Sequence, residues 1–224
     1  MFAALIEAGL IGYLIGSVPS AYLITKWKTG LDLRQSGSGN IGALNSFEVT
    51  KQKSVGVYVL LADLLKGALP IAIAELLGLQ VGLVWLAVGL VLGHCYPVWL
   101  KFHGGRGLAT AAGICLVTNP YMLLAWLLFY SVALTIKRHV HFGAFIAIVA
   151  LAFLLTVLSD RVISMSTLSI SGLTPWGLRT MALGILIVMF SRHVQPFFEL
   201  MTGKSAKANS IVSEKGETSG ATHR

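Results

Sequence analysis

"RQSGSGNIGALNSFEVTKQKSVGVYVLLADLLKGALPIAIAELL", residues 34–77, joins a glycine-rich polar stretch to a long apolar run. In the first half Gly37, Gly39 and Gly42 spell G-x-G-x-x-G. That spacing is a dinucleotide-binding fingerprint when a strand precedes it and the helix of a βαβ unit follows. The second half, from Ser54 to Leu77, is apolar except for Asp63, Lys66 and Glu75. A run of that length reads as a membrane-spanning helix. Another apolar run, residues 2–24, precedes the glycines. A loop between two membrane helices has no strand before it, so the nucleotide reading fails on context. The fold class follows: an all-α integral membrane protein.

Composition agrees. Of the 224 residues, 55% are hydrophobic and 12% charged, against about 25% charged in ordinary domains. Mean hydropathy is +0.78. Seven apolar segments are expected, near 2–24, 54–77, 80–100, 107–118, 120–137, 141–158 and 178–195, forming a polytopic seven-helix bundle. The fourth is too short to span as a straight helix. It should turn tightly into the fifth at Asn119-Pro120, because proline lacks a donor and restricts the residue before it. The sixth and seventh lie near the lower length limit. The first has no basic residues at its front, so it reads as a permanent span rather than a cleaved leader.

The net charge of +8 is distributed as a membrane signature rather than a nucleic-acid one. Lys26, Lys28, Arg34, Lys51, Lys53, Lys101, Arg106, Lys137 and Arg138 fall in connections on one side of such a bundle, with Lys204, Lys207 and Lys215 in the tail. The opposite side holds Arg161 and Arg179. The positive-inside rule then puts the N-terminus outside and the C-terminus in the cytosol. Residues 1–202 form the membrane-embedded domain. The tail, 203–224, is polar and expected to be disordered. The outer stretch 159–177 reads as a connector only. Glu7 and Glu75 fall near outer helix ends and read as interfacial. Cys95 and Cys115 read as packing residues, and no spacing suggests a metal site. The G-x-x-x-G pairs Gly12/Gly16 and Gly89/Gly93 read as helix-packing positions.

Polar sequence gathers in four inner connections: 30–54, 93–110, 136–143 and 191–198. In the first, glycines permit positive φ and close approach, and successive N–H groups can form an anion nest. Arg34, Ser38, Asn40 and Asn45 add charge and donors. In the second, "HGGRG" sets Arg106 among Gly104, Gly105 and Gly107 at the start of a short helix, where anions are favoured. Arginine binds phosphate bidentately. Two such loops on one face point to a bound phosphate compound; a pair of flexible basic loops is the plainer alternative. Asp63 and Lys66, at i,i+3, read either as an ion pair or as substrate contacts. His94 and His193, each at an inner helix end, read either as packing or as site residues.

The strings "GSVPSAYLI" (16–24), "RQSGSGNIGALN" (34–45), "LADLLKGALP" (61–70) and "GHCYPVWLKFHGGRGLATAAG" (93–113) together carry a resemblance. In order and spacing the chain resembles the bacterial acyl-phosphate:glycerol-3-phosphate acyltransferases, the PlsY family. The resemblance implies acyl transfer from acyl phosphate to the 1-hydroxyl of glycerol 3-phosphate, giving lysophosphatidic acid and phosphate, the first acylation of phospholipid synthesis. It implies a multi-pass enzyme of the bacterial inner membrane with a cytosol-facing site. No cofactor, metal or nucleic acid is implied. The partners are the two substrates and membrane lipids. By matching positions it implies catalytic roles for Ser38, Arg106 and His193. Phosphate binding falls to Arg34, Gly37, Ser38, Gly39, Asn40, Gly42, Asn45, Gly104, Gly105, Arg106 and Gly107. Ser17, Asp63, Lys66 and His94 are implied as supporting residues. The chain departs from the family pattern at Leu44 (usually Thr), Arg106 (usually Lys), His141 (often Ser) and Pro196 (usually Asn), and Glu199 stands near a basic position. Two alternatives to the enzyme remain, a non-catalytic relative and a transporter-like binder of a phosphorylated metabolite. The lack of an internal repeat and the clustering of polar residues at one face favour an enzyme.

Overall fold

The computed structural model describes residues 2–166 and 172–203, and no strand occurs among them. Ten α-helices follow in order: α1 (Phe2–Gly16), α2 (Ser20–Thr29), α3 (Ala43–Thr50), α4 (Lys53–Leu76), α5 (Leu83–Cys95), α6 (Leu108–Thr118), α7 (Pro120–Ile136), α8 (Val140–Val157), α9 (Asp160–Ser166) and α10 (Pro175–Met201). Among the described residues five stretches are long and apolar enough to cross a membrane: Phe2–Thr29, Lys53–Leu76, Gln80–Leu100, Val140–Val157 and Pro175–Met201. The shorter apolar helices α6 and α7 complete the seven segments expected.

Four details differ from expectation. The first segment is two helices, because Pro19 has no N–H to continue α1 and α2 starts afresh at Ser20. The last segment runs on to Met201, through Pro196. The supposed connector 159–177 contains α9; its residues 167–171, like the tail from 204, lie outside the described residues. Glu75 is buried, at 7% exposure, rather than interfacial. The turn at Asn119-Pro120 is as expected. Asn119 ends α6 and its side chain accepts the Met122 N–H, while Pro120 occupies the first position of α7.

Small residues set the closest crossings. A Cβ on Gly12 or Gly16 would stand 2.3 or 2.1 Å from the Leu86 or Leu90 carbonyl oxygen of α5. On α5, Gly89 and Gly93 meet α1 in the same way, at the Gly9 and Tyr13 carbonyls. Gly67 of α4 and Gly113 of α6 do this for the α4–α6 crossing. With little hydrophobic drive between helices in lipid, such backbone-to-backbone approach supplies packing. Around these crossings Leu83, Leu90, Ile114, Leu155, Leu178 and Met181 form a core shared by α5, α6, α8 and α10. The four polar connections are thereby brought to one end of the bundle, where they line a common space.

Candidate active site

The first loop is held by its own side chains. Asp32 caps a short 3-10 turn by accepting the Arg34 N–H, and its carboxylate also takes the Arg34 guanidinium. That guanidinium holds the Asp32 carboxyl down to about 2, and Arg34 is raised in turn. Gly37 and Gly39 sit at φ +61° and +68°, where a Cβ is strained. The buried Asn45 side chain accepts the Ser38 N–H at 2.9 Å and donates to the Ser36 and Asn40 carbonyls. A Cβ on Gly37 would stand 2.3 Å from the Asn45 Oδ1. The Gly39 and Gly42 N–H groups bond within the loop as well. With the Asn40 N–H donating to the Ser38 hydroxyl, four of the N–H groups expected to form an anion nest are engaged internally. What the loop turns outward is the exposed Ser38 hydroxyl and the Asn40 amide.

The second loop is glycine-rich for packing. Gly104 and Gly105 donate to the Cys95 and His94 carbonyls at the end of α5. A Cβ on Gly105 would lie 2.1 Å from the His94 ring and 2.6 Å from the Ile41 carbonyl, so the two loops touch here. Gly107, at φ +85°, caps α6. Arg106 projects between these glycines. Among the described residues no carboxylate pairs with it. Burial, and then the nearby Arg192 charge, push its pKa below the usual arginine value, with Glu48 opposing. The positive charge is thus held in a place that an anion would relieve.

A cavity of about 230 Å³ lies between the loops, walled by Ser38, Asn40, Arg106, Arg138, His139 and His141. A vestibule of about 790 Å³ adjoins it, sharing Ser38 and Arg106 and adding Arg34, Lys101, Arg192 and Glu199. Five cations line the two spaces, against the carboxylates of Glu48 and Glu199. On the other side of Val140, which it shares with the smaller cavity, runs an apolar groove of about 600 Å³. Leu108, Ala112, Trp126, Leu151, Met181 and Met189 line it. A phosphate-sized polar space therefore opens beside a lipid-sized apolar one.

The supporting residues form a separate cluster behind the loops. Asp63 pairs with Lys66 at 2.8 Å, accepts from Ser20 at 2.6 Å, and lies 3.6 Å from His94. Lys66 also donates to the Val18 carbonyl. Ser17, Asp63, Lys66 and His94 bound a crevice of only about 10 Å³. The ion-pair reading of Asp63 and Lys66 is the one this geometry supports.

Of the other sequence-derived residues, Arg34, Gly39 and Gly104 line the vestibule. Asn45 reaches the smaller cavity. Gly37, Gly42, Gly105 and Gly107 shape backbone without facing either space. His193 is fully buried and lines neither; its Nδ1 meets the Met189 carbonyl at 2.8 Å. Sequence reasoning missed Arg138, His139 and Arg192 as wall residues and Ser20 as a partner of Asp63. The signal was present in "IKRHVHFG" and "SRHVQPFF", whose polar residues converge with the glycine loops.

A model of the glycerol-3-phosphate acyltransferase family matches residues 6–203. A glycerol-3-phosphate acyltransferase of Myxococcus xanthus is 48% identical over 140 residues, covering 62% of this chain and 72% of that one. The crystal structure of PlsY, an integral membrane glycerol 3-phosphate acyltransferase, in its glycerol 3-phosphate form, superposes with a TM-score of 0.72 at 32% identity. It covers 90% of this chain and 93% of that one. The lysophosphatidic acid form gives 0.70 at 30%, with the same coverage. The chain belongs to the glycerol-3-phosphate acyltransferase family.

Proposed function

We propose that this protein transfers a fatty acyl group from acyl phosphate to the 1-hydroxyl of glycerol 3-phosphate, at the cytosolic face of a bacterial inner membrane. The products are 1-acyl-glycerol 3-phosphate and inorganic phosphate. The observation that carries this reading is the junction at Val140. A basic cavity for phosphate groups meets an apolar groove for an acyl chain there. The positive-inside distribution of the connections supports the cytosolic placement.

The chemistry asks little of any single side chain. Acyl phosphate is a mixed anhydride with a good leaving group. The glycerol hydroxyl oxygen bonds to the acyl carbon, the carbon–oxygen bond to phosphate breaks, and the hydroxyl proton leaves with a phosphate oxygen. The barrier lies in bringing two anions together and steadying the oxyanion that develops at the carbonyl. Arg106, with Arg138 and Arg192 nearby, offsets the repulsion. The Ser38 hydroxyl is placed to donate to a phosphate or to the oxyanion. The buried His193 acts in this scheme as packing behind the site.

A second reading, a relative that binds the substrates and turns over little, draws on Pro196 and Glu199, which line the vestibule where the family pattern has a polar and a basic residue. One experiment decides. Purified protein receives palmitoyl phosphate and glycerol 3-phosphate, with palmitoyl-CoA as the competing donor. Phosphate release and lysophosphatidate formation are followed together. Stoichiometric formation of both from the acyl phosphate is expected. Product from the thioester alone overturns the donor, and no product from either beside a working control enzyme overturns the reaction.

A further inference from the structure

Arg192, on α10, belongs to none of the sequence motifs that carry the family resemblance, yet it makes the only side-chain hydrogen bonds seen to the Gly104 and Gly105 backbone among the described residues. Its Nε donates to the Gly105 carbonyl at 3.1 Å and its Nη2 to the Gly104 carbonyl at 2.9 Å. Its guanidinium carbon stands 5.3 Å from the centre of the Tyr96 ring. Tyr96 is itself tied down: its hydroxyl meets the Ser191 hydroxyl at 2.6 Å, and its carbonyl accepts from Tyr13 at 2.9 Å. Both glycines therefore have their N–H groups bonded to the end of α5 and their carbonyls bonded to α10. Arg106 is the next residue along.

We propose that Arg192 is the positioning residue of the site, a fork that locks Gly104 and Gly105 between α5 and α10 so that the Arg106 guanidinium is presented to the substrate phosphate. Two parallel donors and a flat stacking face are what arginine offers and lysine does not. The arrangement also makes use of a repulsion. Arg192 places a second cation close to Arg106, and its own bonds go to uncharged carbonyls, so the local positive potential is left for an arriving anion. Pro196, one turn further on, has no N–H to donate to the Arg192 carbonyl, so the helix lacks one of its own bonds where it carries the clamp.

The proposal rests on the acyltransferase reading for its kinetic part only, and the test separates the two. In Arg192→Lys the charge stays and the fork is lost. Amide exchange in peptides spanning 103–108 is expected to rise by about tenfold, with or without substrate. kcat/KM for glycerol 3-phosphate is expected to fall by about tenfold, the scale of charge-assisted hydrogen bonds. In an Arg106→Ala background the same Arg192→Lys change is expected to lower kcat/KM less than about twofold, because a clamp has nothing left to position. Wild-type exchange in Arg192→Lys overturns the proposal. So do losses that multiply in the double variant, since Arg192 would then act on substrate directly. If the wild type makes no product, the acyltransferase reading fails and the exchange result alone decides the clamp. Should Arg192→Lys not fold, Tyr96→Leu removes the stacking face and the hydroxyl contact with Ser191 that hold the fork in its orientation. Faster exchange at 103–108 is then expected, and unchanged exchange overturns the clamp.

Discussion

Two groups of ionisable residues share one end of this bundle and are built in opposite ways. Around Asp63 the charges are closed on themselves: acid, lysine, histidine and a serine hydroxyl meet in about 10 Å³ of free space. Around Arg106 the charges are mostly open: five cations face about 230 and 790 Å³ of cavity, and among the described residues only Arg34, at the rim, has a carboxylate partner. A buried charge is tolerated at membrane depth when paired. An unpaired one persists where a ligand completes it. Under the proposed function the closed group would hold the site and the open group would work in it, although both groups read alike as polar residues near helix ends.

The largest effect expected is on the closed group. Asp63 is 2% exposed, and its removal strands Lys66 beside His94. Asp63→Ala should lose about 3–5 kcal/mol of stability, the usual result of breaking a buried pair. The unfolding midpoint in detergent reports it. A loss under about 1 kcal/mol would place Asp63 with the working residues instead.

The open group should respond the other way. Arg106→Ala and Ser38→Ala are each expected to lower kcat by about 10²–10³-fold, the range seen when a transition-state donor is removed. Neither should move the unfolding midpoint by more than a degree or two, since Ser38 is exposed and Arg106 has no carboxylate partner among the described residues. Undiminished turnover in either variant removes that residue from the site.

The sequence carries these two groups unequally. Helix segments and the Asn119-Pro120 turn are legible because apolar length and proline chemistry act locally. Ser38 and Arg106 are legible because they sit in unusual glycine contexts. The reason for those glycines is not. Gly104 and Gly105 look like part of an anion site at a helix start in one dimension, but their N–H groups are bonded to α5 and their missing side chains make room for His94 and Ile41. Asn45 looks like a ligand and instead ties its own loop together. Arg192 is marked only as one polar residue of "SRHVQPFF"; nothing local names its partners, which lie 87 and 88 residues away. Contacts of that separation are set by helix crossing, not by neighbouring sequence.

Gly105 is where the two groups touch, so it tests whether they are separable. A methyl there would meet the His94 ring of the closed group and the Ile41 carbonyl of the first loop. Overpacking of this kind costs about 1–3 kcal/mol. Gly105→Ala should lower both the unfolding midpoint and kcat/KM, unlike Asp63→Ala or Arg106→Ala, which each act mainly on one. If only activity falls, the loops are softer than their hydrogen bonds imply, and the boundary between the groups lies elsewhere.

The smallest effect expected is at the rim, where Asp32 and Arg34 pair on the exposed surface. Their bond resembles the closed group in form and the open group in setting, so solvent should screen most of its worth. The sign can still be fixed. Arg34 holds the Asp32 carboxyl at about 2, below its ordinary value of 3.8. A depressed carboxylate adds stability that is fully present above the unfolded value and is lost as pH falls through the folded one. The midpoint of the wild type should therefore exceed that of Asp32→Asn slightly above pH 4, and the gap should close between about pH 4 and pH 2. Added salt should shrink the gap at every pH. A gap that is large, or indifferent to salt, would mean that Asp32 anchors the glycine loop as firmly as Asp63 anchors the cluster behind it.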